Sequence, residues 1–274
     1  MSLYRGMDRA ALDAAYNNSA AVADSATLMA ELRTRSDRLR SEMPDHLDLR
    51  YGAAPRNRID YFSAGQRGPV LIFIHGGYWQ MREKEDFSVL ARGPLAHGLA
   101  VAMVGYTLAP AITLGGIVDE IRAAIGWLRT RVDEYGGDAD RIYLSGWSAG
   151  AHLTAMALDE PAVKGGLAIS GVYDLEPMRA CYINDKLKLD DADIERLSPL
   201  RHAKQVAKPL IVACGGAELP ELQRHSQQFA AVRERSGMPG RMVKLAGLNH
   251  FTILDQLASP DGALTALLRE LAFK

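Results

Sequence analysis

Apolar residues along this chain come in two rhythms that keep alternating. Short continuous apolar runs at 69–74, 100–104, 166–170 and 209–213, with less uniform ones at 57–63, 141–145 and 241–245, read as strands, most of them buried on both faces. Between them lie stretches with apolar positions at helical spacing, at 83–96, 117–135, 149–158, 220–235 and 263–271. Residues 7–43, rich in Ala, Leu and Arg, predict two helices broken around Asn17 and Asn18 and ended by Pro44. Regular strand–helix alternation implies an α/β chain with a mostly parallel central sheet, because parallel neighbours need crossover connections. No Gly/Ser/Pro linker or internal repeat divides the 274 residues, so one domain spanning 1–274 is expected. An irregular, polar insert at about 171–206 sits between two core strands, where a lid over the sheet's C-terminal edge belongs.

Composition narrows the function. A formal net charge of -1, with both signs interleaved, leaves no footprint for nucleic acid or an anionic membrane and suits a small-molecule substrate. The run of arginines at 33–40 also carries Asp37 and reads as a solvated helix face. Cys181 and Cys214 are far apart and form no metal pattern, so free thiols are expected. No apolar stretch approaches the roughly 20 residues of a membrane helix, and the N-terminal residues lack a secretory apolar run. A soluble cytoplasmic protein is the expectation; the oligomeric state, a homodimer included, is left open.

Chemistry concentrates at strand ends. Gly146-Trp147-Ser148-Ala149-Gly150 follows a strand and opens a helix, the setting of a nucleophile elbow, in which flanking glycines let the backbone pass close to itself. His75-Gly76-Gly77-Tyr78-Trp79 follows the strand at 69–74, where a Gly-rich loop supplies N–H groups to an oxyanion. Small residues at Gly76 and Gly77 would leave a substrate carbonyl free access to the amides of Gly76, Gly77 and Tyr78, with Ala149 as the second arm. Among seven histidines, His250 lies in a loop after the last strand and is the expected base; His75 is an orienting residue. Glu218, just beyond the strand at 209–213, is the expected acid, with Asp174 and Glu221 as rivals. This Ser, acid, His order is that of an α/β-hydrolase, which is the expected fold.

With these residues assembled, the chain resembles the α/β-hydrolase type of kynurenine formamidase (arylformamidase). The strings carrying the resemblance are His75-Gly76-Gly77-Tyr78-Trp79, the Gly-Trp-Ser-Ala-Gly elbow, residues 216–222 and Leu248-Asn249-His250-Phe251. One departure is the acid, an Asp in eukaryotic members and Glu218 here; the extra methylene changes reach, not role. The resemblance implies a serine hydrolase that removes a small acyl group, formyl above all, from an aryl amine such as N-formyl-L-kynurenine. A carboxylesterase acting on short or aromatic esters is the alternative, and a non-catalytic binding module a more distant one. A Ser at the elbow excludes the Asp-dependent dehalogenases of this fold. Trp79, Trp147, Tyr173 and Tyr182 are candidate apolar walls for the leaving group. A second, unrelated formamidase class uses metals held by clustered histidines, and no such spacing occurs here, so neither metal nor cofactor is expected.

Overall fold

Aliphatic runs fill the middle of one eight-stranded sheet in the computed structural model, which describes residues 2–273; Met1 and Lys274, the outermost positions of the expected 1–274 unit, lie outside the described residues. The strands are β1 (Leu49–Arg50), β2 (Arg58–Phe62), β3 (Gly68–Ile74), β4 (Ala100–Val104), β5 (Gly137–Trp147), β6 (Val163–Ile169), β7 (Leu210–Gly215) and β8 (Gly240–Leu245). Their spatial order is β1-β2-β4-β3-β5-β6-β7-β8. β1 and β2 run antiparallel to their neighbours, and every pair from β4 through β3 to β8 is parallel. All residues of β3, β4 and β7 are buried, which is why they read as unbroken apolar runs, whereas β8, at the edge, is partly exposed.

Side chains alternate between two packed layers, as strand geometry requires. Val70, Ile72 and Ile74 of β3 enter one core, and Leu71 and Phe73 the other. The first core is covered by α1 (Arg9–Ala15), by α5 (Leu114–Arg131) and α6 (Ala149–Met156), and by α11 (Pro220–Arg235). The second is covered by α3 (Ser25–Glu42), a 3-10 helix at Lys84–Ala91, and α13 (Ala263–Phe273). Shorter helices are α2 (Asn18–Ala21), α4 (Arg92–Leu95) and α12 (Asp255–Ala258).

Three local departures from the expected elements have physical causes. The N-terminal stretch forms α1, α2 and α3 rather than two helices, because Asn17 accepts the Ala20 N–H and starts a one-turn helix of its own. The single helix expected at 83–96 is a 3-10 helix followed by α4; Pro94 has no N–H to continue an α-helical ladder from the preceding turn. The insert at 171–206 is polar on its outer side only. Along its one- and two-turn helices, α7 (Glu176–Arg179), α8 (Asn184–Leu187), α9 (Asp191–Leu197) and α10 (Pro199–His202), and the turns between them, Tyr173, Met178, Ile183 and Leu197 enter the first core.

Charge also ties layers together. Lys84, 3% exposed, bonds Asp48 at 2.7 Å and the fully buried Asp60 at 2.8 Å, and Asp60 also pairs with Arg40 of α3. Register then sets the site: Ile74 faces Gly146, Trp147 faces Ile169 and Gly215 faces Leu245, so the segments after β3, β5, β6, β7 and β8 leave one edge of the sheet.

Candidate active site

At the end of β5 the chain turns directly into α6 through Ser148, which holds φ 57° and ψ -117°. That conformation costs a non-glycine residue about 1–3 kcal/mol and persists only where surroundings impose it. The imposition is visible. Ser148 N–H donates to Ile169 O at 2.8 Å, a Cβ on Gly146 would lie 2.2 Å from Gly150 O, and one on Gly150 would lie 1.9 Å from Ile74 O. The flanking glycines therefore exist for backbone contact, and Gly150 locks the elbow to the last residue of β3.

His250 and Glu218 meet across the ends of β8 and β7. His250 Nδ1 lies 3.1 Å from Glu218 Oε2 with both side chains buried; a carboxylate only accepts, so Nδ1 carries the hydrogen of this bond. Glu218 Oε1 accepts from Ser170 Oγ at 2.6 Å and from Gly215 N–H at 2.5 Å, so three donors converge on one carboxylate. The His250 loop is held by Asn249, whose side-chain oxygen accepts the N–H groups of Phe251 and Thr252, and by Trp147, whose indole N–H donates to His250 O at 2.8 Å. The Trp147 and His250 rings lie 4.8 Å apart, which brings the imidazole beside the elbow, although no hydrogen bond joins Ser148 Oγ to His250. Apo geometry of this kind commonly tightens only around substrate. The rival carboxylates are engaged elsewhere: Asp174 accepts from Tyr4 OH at 3.2 Å, and Glu221 accepts from Tyr16 OH and pairs with Arg224.

After β3, the loop from His75 to Trp79 takes left-handed φ at three successive residues, +113° at Gly77, +48° at Tyr78 and +60° at Trp79. For the two non-glycine residues this costs about 1–2 kcal/mol each. Among the described residues, the backbone N–H groups of Gly76, Gly77, Tyr78 and Ala149 donate to no protein acceptor. The reason for glycine here differs from the expected one. A Cβ on Gly76 would strike the Trp147 ring at 2.6 Å, and one on Gly77 would meet Met81 O at 2.2 Å, so packing inside the protein, rather than access for a carbonyl, excludes side chains. His75 stacks between Tyr106 and Phe87, with centroids at 4.3 Å and 5.9 Å, and donates from Nδ1 to Gly76 O. Burial pushes its pKa down to about 4, so it stays neutral and rigid.

The expected aromatic walls need correction. Trp79 and Tyr173 are fully buried, Trp79 edge-on to His152 at 4.9 Å and Tyr173 stacked on Phe229 at 4.3 Å, and Trp147 is 4% exposed beneath His250. None of the three presents an open face. Tyr182 alone of the four is half-buried, edge-on to Tyr78 at 6.5 Å. Sequence reasoning did not find Ser170, whose role depends on β6 lying next to β7, a fact of sheet order with no local signal. No group of three or more His, Cys, Asp and Glu side chains able to hold a metal occurs among the described residues.

Comparison with known proteins completes the picture. The BD-FAE family model matches residues 61–164 and the prolyl oligopeptidase family model matches residues 117–273. A kynurenine formamidase of Danio rerio is 30% identical over 259 residues, covering 89% of this chain and 87% of the relative. An isoprenylcysteine alpha-carbonyl methylesterase of Arabidopsis thaliana is 27% identical over 73% of this chain and 55% of its own length. Among solved structures, a provisionally assigned thioesterase of Silicibacter sp. TM1040 superposes with a TM-score of 0.85 at 29% identity, covering 93% of this chain and 97% of that one.

Proposed function

The chain belongs to the kynurenine formamidase family of α/β-hydrolases, and from that premise we propose that this serine hydrolase removes a formyl group from an aryl amine of the N-formyl-L-kynurenine type. Ser148 Oγ attacks the formyl carbonyl while Nε2 of His250 takes its proton. Glu218 keeps Nδ1–H oriented and balances the imidazolium. The N–H groups of Gly77, Tyr78 and Ala149, with Gly76 beside them, receive the oxyanion, each contributing about 3 kcal/mol in comparable sites. The C–N bond then breaks, His250 returns the proton to the departing aryl amine, and water, deprotonated by His250, frees Ser148 with release of formate.

The observation carrying this reading is the buried Glu218–His250 pair at 3.1 Å, anchored through Trp147 to the elbow that holds Ser148. Ser148 and His250 are each 3% exposed, so the proposed reaction would run at a site largely screened from water. Tyr182, half-buried at Tyr78, is the wall available to a planar leaving group. A short-chain esterase is the second reading, favoured by the likeness to a methylesterase.

Turnover of N-formylkynurenine measured against p-nitrophenyl acetate, butyrate and octanoate decides between them. The formamidase reading expects the formyl amide to be cleaved and ester rates to fall with chain length; no formyl turnover with good butyrate turnover would establish the esterase instead. Ser148→Ala should abolish both.

A further inference from the structure

Left-handed residues in the loop after β3 need an external hold, and the N-terminal helices supply it. The Tyr78 hydroxyl donates to the Tyr16 carbonyl at 2.6 Å and accepts from the Asn18 side-chain amide at 3.1 Å. Neither partner belongs to the sheet or to the insert. Asn18 is 6% exposed, and Tyr16 is fully buried at the end of α1.

Tyr16 is itself a fixed anchor. The backbone N–H groups of Tyr173 and Asp174 approach His225 Nδ1 at 3.1 and 3.3 Å, so the imidazole hydrogen sits on Nε2. From there it is donated to the Tyr16 hydroxyl oxygen at 3.0 Å, which leaves the hydroxyl hydrogen for Glu221 Oε2 at 3.2 Å. The insert and α11 thus fix the Tyr16 side chain, and the Tyr16 backbone carbonyl in turn holds Tyr78, whose own N–H is a proposed oxyanion donor.

We propose that the N-terminal helical segment is a positioning element for the oxyanion loop, acting through the Tyr78 hydroxyl, with Asn18 as a positioning residue. The inference rests on the reading of Ser148 as nucleophile and of the Tyr78 N–H as an oxyanion donor. Asn18 touches no substrate. It holds the Tyr78 ring so that the backbone keeps φ +48°; without that hold the residue relaxes toward right-handed conformations and its N–H swings off the oxyanion.

A matched control exists in the same molecule. The Tyr51 hydroxyl donates to Gly105 O at 2.7 Å and accepts from the Asn57 amide at 3.1 Å, the same pair of partner types with no direct bond to residues 75–79. The experiment compares Tyr78→Phe, Asn18→Ala and Tyr51→Phe in the full chain, reading the rate at which a fluorophosphonate labels Ser148, the kcat and KM for whichever substrate the wild type cleaves, and Tm. Tyr78→Phe and Asn18→Ala should each lower the labelling rate and kcat by about ten-fold. KM should stay within about two-fold. Tyr51→Phe should shift Tm comparably and label at the wild-type rate. Wild-type labelling by folded Tyr78→Phe, or a loss no greater than that of Tyr51→Phe, would overturn the proposal. A slow Tyr78→Phe beside a fast Asn18→Ala would overturn the role of Asn18 and leave the Tyr16 carbonyl as the anchor. An unlabelled, folded wild type would instead remove Ser148 as nucleophile, and both readings with it.

Discussion

Exchanging the Glu218 carboxylate for the nearly isosteric amide, Glu218→Gln, keeps the side chain's volume and removes its charge. It also brings an N–H₂ group into a pocket where Ser170 Oγ, Gly215 N–H and His250 Nδ1 all donate. One of those donors loses its acceptor, and the imidazole loses the partner that fixes its tautomer. We expect kcat to fall on the order of 10³-fold with little change in KM. Asp174→Asn should stay within about three-fold of wild type, since Asp174 meets Tyr4 rather than His250. A kcat for Glu218→Gln within about ten-fold of wild type would remove Glu218 from the proposed triad. The longer acid arm finds its place because its turn folds back: Gly216 N–H donates to Leu245 O and Ala217 N–H to Leu248 O, and Glu218 Oε1 then reaches the Gly215 N–H at the start of that turn.

At the scale of elements, a buried ionic knot joins α3 and the 84–91 helix to the antiparallel side of the sheet. Lys84 bridges Asp48 and Asp60, and Arg40 meets the same Asp60. Lys84→Met leaves the fully buried Asp60 with one cation instead of two, and should cost about 3–5 kcal/mol by urea unfolding; a loss under about 1 kcal/mol would show that Arg40 alone suffices. How readable such elements were follows from how local their causes are. β4 and α11 stand at the positions the pattern predicts, because a doubly buried strand and a helix opened by Pro220 carry their reasons within themselves. The insert's buried face is not legible in the sequence, because its helices are too short to show a period and Met178, Ile183 and Leu197 take their burial from distant partners. Within the candidate site, Gly146, Ser148 and Gly150 announced a turn that local backbone contact demands. Ser170, Asn18 and the true reason for Gly76 did not, since each depends on a neighbour many residues away.

Across the described residues, His75, His152 and His225 are buried rings that burial keeps neutral. Burial lowers His75 and His152 to about 4 and His225 to about 3, the last with help from Arg224. In the unfolded chain each would titrate near about 6.5. With the folded values depressed, neither state binds these protons above that value, and only the unfolded state binds them between about 6.5 and 4. Stability is therefore full at neutral pH and falls as pH drops through this window, by up to about 4 kcal/mol per pH unit when all three contribute. Urea midpoints at pH 7, 6 and 5 test this, and midpoints unchanged from pH 7 to 5 would contradict it.

The placement of β8 at the open edge, bonded to β7 alone, bears on how the molecule comes into being. Ser148 precedes the His250 loop along the chain, so a chain grown only as far as the elbow holds the proposed nucleophile without its proposed base. The proposed base follows β8, and it meets Glu218 when that edge strand has docked on β7. On the proposed triad, reactivity therefore waits on the docking of that one edge strand.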